Sequence, residues 1–562
     1  MKLSAISSIG LNTLKVGLAT LLYAQLGASL ALSSEPDASL LAGPLIGSTV
    51  TLDYGTFTGL RNTTSGITYF RGIRYAEPPI GELRWRAPVS PPIRRLGRVD
   101  ATKFGNNCIA TAQSTEVAGF SEDCLVGNVY IPTNTRKNDK LPVLVYFHGG
   151  GFQGGTTQTA PPDQLLQTSA KPLIFVSFEY RLGPLGFLGG SEVKKHGVLN
   201  AGMLDQRAAL RWVQRYIGNF GGDRRKVMIW GQSAGAGSTM FHLIANGGNH
   251  EGLFRAAMGD SPSLSYLPAY NDAYVEGIYK KFVGFTACAN KSTSAETFRC
   301  LRAAPVSDII QAGPKLLASY PSTLFVFAPT LDGTFLSSRA VGAFSSTSLG
   351  PAKFAQVPLL FGSNADEGTK WSSTLPDPLS NTSMPSSDQE TVVRFLQGQY
   401  ASLPREPVDE AMGGLGLYPF SKYGDVGKQA EGMYGEARYI CTAGLLTGGA
   451  TSRGIGDVYQ YYYYNPHLGS DHGSELAAFF STPNSADAND LELFKTMREY
   501  WTSFVTDGRP KSKSGLAWKS SNDRTGSPRL LLHPAGTTME TIDEDLSARC
   551  SYWRGMADDM ST

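Results

Sequence analysis

The pentapeptide Gly231-Gln232-Ser233-Ala234-Gly235 sets one serine between two glycines. The apolar run Val227–Trp230 leads into it, and a helix-like run to Ile244 follows. In that strand–turn–helix setting, such a turn lifts the serine hydroxyl above a sheet as a nucleophile. The strained turn needs glycine where a side chain would clash across it. A second glycine-rich stretch, Phe147-His-Gly-Gly-Gly-Phe-Gln-Gly-Gly, follows the strand-like Val143–Phe147. Free N–H groups of Gly150, Gly151 and Ala234 would converge on a developing oxyanion. Together these residues predict acyl transfer.

A serine hydroxyl needs a base, and the chain has seven histidines. His148 belongs to the glycine-rich stretch. His196 follows two lysines and is expected in solvent, while His242 and His250 fall in and just beyond the helix after the turn. In hydrolases with this turn the chain order is serine, acid, histidine, which leaves His467, His472 and His533. His533 ends a strand-like Leu-Leu-Leu, and His467 sits in a turn after Asn-Pro. His472 lies in a polar loop after the strand-like Val458–Tyr464, where a base can reach a serine at the sheet's carboxyl edge. Position places His472 ahead of His467 without deciding between them. For the acid, Pro358–Phe361 runs into Gly-Ser-Asn-Ala-Asp-Glu-Gly-Thr, and local logic leaves both Asp366 and Glu367 open.

The elements that must position these residues follow from short apolar runs alternating with longer helical stretches, the α/β pattern. Strands are expected at Val143–Phe147, Leu173–Phe178, Val227–Trp230, Ala256–Met258, Pro358–Phe361 and Val458–Tyr464. Met203–Tyr216 has helical spacing, and parallel strands require such crossovers. The polar stretches Thr374–Asp388 and Lys511–Ser527 read as loops inside one large domain, residues 32–562. A chain of 562 residues with 41% hydrophobic and 17% charged residues is not disordered. Its 50 basic and 48 acidic residues, without an extended basic run, argue against a nucleic-acid partner.

Lys2 and Lys15 precede the apolar run Val16–Tyr23, which is too short to span a bilayer and reads as part of a secretory signal peptide over residues 1–31. Its removal would take two lysines and no acid, leaving a net charge of zero. No later segment has transmembrane character, so the product is expected to be extracellular, without a membrane anchor. Six cysteines in an exported chain suggest three disulfides. Nearest-neighbour pairing gives Cys108–Cys124 and Cys288–Cys300, and leaves Cys441 with Cys550. Sequons at Asn62, Asn290 and Asn381 are candidate glycan sites. No metal motif, phosphate loop or dinucleotide fingerprint occurs, so no cofactor is expected.

At this point the chain resembles the type-B carboxylesterase/lipase family, which includes cholinesterases and secreted fungal lipases. The resemblance rests on Phe70-Arg-Gly-Ile-Arg-Tyr-Ala-Glu-Pro-Pro, Ser121-Glu-Asp-Cys-Leu, Leu204-Asp-Gln-Arg-Ala-Ala-Leu, Asn219-Phe-Gly-Gly-Asp, Gly231–Gly235, Asn364-Ala-Asp-Glu-Gly-Thr and His472-Gly-Ser-Glu-Leu. It implies an α/β-hydrolase fold, a large mostly parallel sheet flanked by helices and carrying long insertions. It assigns Ser233 as nucleophile, Glu367 as acid, His472 as base, and Gly150, Gly151 and Ala234 as the oxyanion hole. It also matches the three cysteine pairs. The implied function is a serine hydrolase cleaving carboxylic esters, with a small-molecule or lipid ester as its partner. Carboxylesterase activity leads, a true lipase or sterol esterase is the alternative, and a non-catalytic cholinesterase-like interaction protein is remote. The oligomeric state is left open.

Four departures stand out. Gln232 replaces a frequent glutamate, which weakens attraction of cationic substrates. Val126-Gly-Asn-Val is atypical after Cys124-Leu. Met258-Gly-Asp-Ser-Pro replaces Gln-Ser-Gly-Ser-Pro, so a serine supporting Glu367 is expected to be missing. The lid-like loop between Cys108 and Cys124 holds 15 residues, with Phe120 its sole aromatic. It lacks a tryptophan cation–π site, and its shortness favours small, soluble esters.

Overall fold

Seven strands made largely of β-branched, aromatic and small apolar residues pair in parallel at the centre of the molecule. The computed structural model describes residues 43–345, 351–521 and 528–562, and the expected signal segment 1–31 lies outside them. The strands of the main sheet are β1 (Leu60–Asn62), β2 (Ile67–Arg74), β3 (Val126–Pro132), β4 (Leu141–Phe147), β5 (Ile174–Phe178), β6 (Gly222–Gly231), β7 (Ala256–Asp260), β8 (Leu359–Asn364), β9 (Val458–Tyr463), β10 (Pro528–Leu532) and β11 (Thr538–Thr541). Their order is β11-β10-β9-β8-β7-β6-β4-β5-β3-β2-β1. From β5 to β10 every pairing is parallel. The pairings that add β3, β2 and β1 on one side and β11 on the other are antiparallel.

Both faces of the sheet are buried, as parallel strands require. Successive side chains alternate between two cores. Val143, Val145, Phe147, Val227 and Ile229 point into one; Leu144, Tyr146, Met228 and Trp230 point into the other. Helix Ala201–Tyr216 covers the first face with Met203, Leu210, Trp212 and Val213. Helix Ala488–Asp507 covers the second with Phe494, Trp501 and Phe504. A third apolar cluster, built from Val392, Phe395, Leu396, Tyr434 and Trp553, holds the helices inserted between β8 and β9 to the C-terminal helix. Among the described residues no helix is long and apolar enough to cross a membrane.

All six expected strands form, several of them longer than their apolar runs. The edge strands β1 to β3 and β11 had no comparable signal, because they are short or interrupted by polar residues. The atypical Val126–Val129 segment has a packing reason. Phe178 of β5 lies over Gly127, where a Cβ would fall 2.3 Å from its ring. Buried Asn128 accepts from Gly72 N and donates to Thr157 Oγ1 and Ser177 Oγ. The structure pairs Cys108–Cys124, Cys288–Cys300 and Cys441–Cys550. Asn290 is exposed, whereas Asn62 and Asn381 are half-buried. Asn381 donates its Nδ2 to Leu375 O.

Candidate active site

The turn from β6 into helix Ala234–Gly248 forces Ser233 to φ 57°, ψ −121°, a costly backbone state for a residue with a Cβ. Contacts on both sides hold it there. A Cβ on Gly235 would fall 2.0 Å from Phe147 O, and one on Gly231 would fall 2.3 Å from Gly235 C. Ser233 N donates to Asp260 O at 2.9 Å, which ties the turn to β7. The helix stays regular to Ile244 and leaves helical geometry at Ala245.

The loop after β4 packs against this turn: a Cβ on Gly149 would lie 3.1 Å from Ser233 Cβ. Gly150 and Gly151 have φ of 108° and 63°. Among the described residues no acceptor takes either N–H. Ala234 opens the helix, where N–H groups lack intrahelical partners. His148 serves this loop. Burial holds its ring below the usual histidine range, and it stacks on Tyr180 with Nδ1 2.8 Å from Gly149 O. The Cys108–Cys124 loop joins here too, with Thr111 N donating to Gln153 O.

The loops after β8 and β9 supply the other half. Glu367 is fully buried, and its Oε2 lies 2.5 Å from His472 Nδ1. That contact places the ring proton on Nδ1 and leaves Nε2 as the acceptor. Nε2 faces the elbow, where the Gln232 amide donates to it at 3.4 Å. The rings of Tyr439 and Trp371 flank the imidazole at 4.3 and 5.6 Å. Glu367 Oε1 accepts from Ser261 Oγ at 2.5 Å and from Asn364 N at 2.7 Å. Trp371 Nε1 donates to Glu367 O. The expected loss of a serine is therefore corrected. Ser261, in the left-handed region at φ 56°, turns its hydroxyl onto Glu367.

The remaining candidates separate cleanly. Asp366 pairs by backbone with Ser470 and Asp471, and its side chain makes no hydrogen bond or ion pair with His472. His467 binds Asp490 at a helix start, where the capping aspartates account for its company. His533 accepts from Ala535 N in a turn. His242 is buried on Gln206. His196 is half-buried rather than solvated, because helix Ser294–Ala303 meets it through Ser294 Oγ.

Two further buried acids surround the site, and sequence reading gave neither a role. Glu475 Oε2 accepts from Asn364 Nδ2, while Oε1 has no partner. Burial, and then the charge of Glu367, push its carboxyl up to about 7. Asp260 accepts from Trp230 Nε1 at 2.7 Å and Tyr461 OH at 3.0 Å. Burial, then Glu475, hold it well above the carboxylate range. The only sequence signal for Glu475 was its place three residues after His472.

This geometry agrees with the profile of the Carboxylesterase family, which matches residues 47–553. The chain belongs to the carboxylesterase family. Lipase 2 of Diutina rugosa is 35% identical over 57% of this chain and 62% of its own length. The match to that lipase thus spans less than two thirds of it. A secreted triacylglycerol lipase of Gibberella zeae is 30% identical over 84% of this chain and 85% of its own. Among solved structures, EstA of Aspergillus niger superposes with a TM-score of 0.80 at 29% identity, covering 92% of this chain and 99% of that one. This carboxylesterase-family chain has the α/β-hydrolase fold expected from its sequence.

Proposed function

We propose that the protein is a secreted carboxylic ester hydrolase that works through an acyl-enzyme on Ser233. The observation that carries this reading is the 2.5 Å contact between Glu367 Oε2 and His472 Nδ1, with His472 Nε2 3.4 Å from the Gln232 amide beside the strained Ser233. His472 Nε2 takes the Ser233 proton as Oγ attacks the acyl carbon. The oxyanion forms among the N–H groups of Gly150, Gly151 and Ala234. Glu367 stabilises the imidazolium. His472 then protonates the departing alcohol, and water repeats the sequence on the acyl-enzyme. Secretion is supported by three disulfides, by the N-terminal pattern and by a relative named as secreted. Asn290, exposed next to the Cys288–Cys300 bridge, is the favoured glycan site.

The short loop tied to the oxyanion segment favours small esters. A second reading, hydrolysis of long-chain glycerides, is favoured by the names of the lipase relatives. Initial rates on p-nitrophenyl esters from acetate to palmitate decide between them. A maximum at short chains is expected; a maximum at long chains that rises at an oil–water interface would support the lipase. Ser233→Ala should lower turnover by at least about a thousandfold with an unchanged melting temperature. Near-normal hydrolysis by that variant would refute the nucleophile.

A further inference from the structure

Seven arginines are buried in the described residues, and one differs from the rest. Arg84, Arg181, Arg207, Arg529 and Arg549 each meet a carboxylate, and Arg302 donates to two backbone carbonyls. Arg438 is 4% exposed, yet among the described residues no carboxylate pairs with it. One Nη reaches Ser265 Oγ at 3.3 Å, and Nε has no partner. The rings of Tyr434 and Tyr439 lie 5.7 and 5.8 Å from its carbon, and the neutral hydroxyls of Tyr439 and Tyr400 are the other polar groups at its edge. Aromatic faces stabilise the plane of a guanidinium. They do not satisfy the N–H groups along its edge, and a buried donor left unpaired is costly.

Its position gives that edge a use. Phe325 lies between Arg438 and the oxyanion loop. Its ring is 5.0 Å from the guanidinium carbon, and a Cβ on Gly151 would fall 2.1 Å from the same ring. Phe325 is therefore a wall of the space beside Gly151 of the oxyanion loop. Phe325 and Arg438 both line a cavity with about 30 Å³ of free space, whose walls are apolar at Phe187, Val326 and Phe327 and polar at Ser265 and Gln399. That volume suits one small polar group. The planar fork of an arginine matches a carboxylate in two parallel hydrogen bonds.

We infer that Arg438 is an anion-recognising residue of the acyl subsite, and that the enzyme takes esters whose short acyl chain ends in a carboxylate, the monoesters of dicarboxylic acids. Phe325 must turn aside to admit the chain. The inference rests on the ester-hydrolase reading above, and a binding readout keeps the two separable.

The test compares p-nitrophenyl hemiglutarate with p-nitrophenyl pentanoate, which has the same chain length without the charge. Wild type is expected to favour the hemiglutarate. Arg438→Met should lower the ratio of the two kcat/KM values by about tenfold or more, mainly through KM, because a site built to bind a polar group discriminates strongly for it. The ratio is the readout, not the absolute rate on the pentanoate, because Arg438 packs on Tyr439 and Tyr439 flanks His472. An unchanged ratio would overturn the inference. So would a wild type that hydrolyses the pentanoate and rejects the hemiglutarate. Free glutarate should raise the melting temperature of wild type, and 1-pentanol should not. This comparison needs no variant and stands if Arg438→Met does not fold. Stabilisation by glutarate without hydrolysis of either ester would uphold the anion site and remove the hydrolase reading. Hydrolysis of the pentanoate without stabilisation by glutarate would do the reverse.

Discussion

The serine turn and the acid–base loops meet at Gln232, yet they are held by different physics. The turn is fixed by backbone against backbone. Gly231 and Gly235 leave no room for a methyl group between the turn, the helix and Phe147, and Gly150 closes on Gly154, where a Cβ would fall 2.3 Å from its carbonyl. The acid–base side is fixed by side-chain hydrogen bonds between distant segments. Glu367 meets His472 across 105 residues and Ser261 across 106. Steric demands of that first kind appear in sequence as glycines at fixed short spacing. A network of the second kind has no such local trace.

The difference explains what was legible. The pentapeptide, the glycine-rich loop, the six inner strands and two of the cysteine pairs could be read from residue type and short spacing, with Cys441–Cys550, 109 residues apart, left as the remaining pair. Asp366 against Glu367, and His467 against His472, stayed open until the family resemblance chose. Either acid is compatible with its loop, and only the course of the chain after β8 decides which one points inward. Ser261 shows the limit of reasoning by pattern. The usual serine seemed absent, but the next position but one, with a left-handed backbone, supplies the hydroxyl. Glu475, Tyr439 and Trp371 touch the site through packing that no periodicity announces.

If the acid–base side is a side-chain network, trimming it should reduce activity in steps while the turn stays intact. The largest step is Glu367→Gln. It removes the charge that stabilises the imidazolium and can favour the wrong tautomer, with an expected fall in kcat of about 10²–10⁴. Asp366→Asn should stay within about threefold, since its side chain makes no hydrogen bond or ion pair with His472. Steady-state kinetics on one short ester reads both. Equal losses would mean that both acids share the role and that the contrast between the two regions is drawn in the wrong place.

A smaller step is Ser261→Ala. The variant leaves Asn364 N on Glu367 and removes only the hydroxyl at 2.5 Å. Loss of one hydrogen bond to a buried charge is worth about 1.5–3 kcal/mol. Most of that is expected as reduced stability, with kcat falling about tenfold and KM unchanged. A rise in KM with kcat unchanged would instead place Ser261 in ground-state binding.

The smallest effect on activity concerns pH, is read in stability, and separates the regions by kind. The strain of the turn comes from steric contacts that carry no proton, whereas the network includes Glu475, whose carboxyl is pushed up to about 7 by burial and by Glu367. Its ordinary value is 4.5, so the folded protein binds this proton more tightly than the unfolded chain. Stability from this group is therefore fully present below about pH 4.5 and is lost as pH rises through about 7. Glu475→Gln keeps an acceptor for Asn364 Nδ2 and cannot ionise. Wild type should lose stability relative to Glu475→Gln between pH 5 and pH 8, by at most about 3 kcal/mol, read as a falling melting temperature. Taking the difference between the two proteins cancels the other titrating groups, Asp260 included, except where they couple to Glu475 itself. A gap that stays constant with pH would mean that Glu475 is ionised throughout. Asn364 would then be holding a charge rather than a neutral acid, and the acid–base side would be as indifferent to protons as the turn.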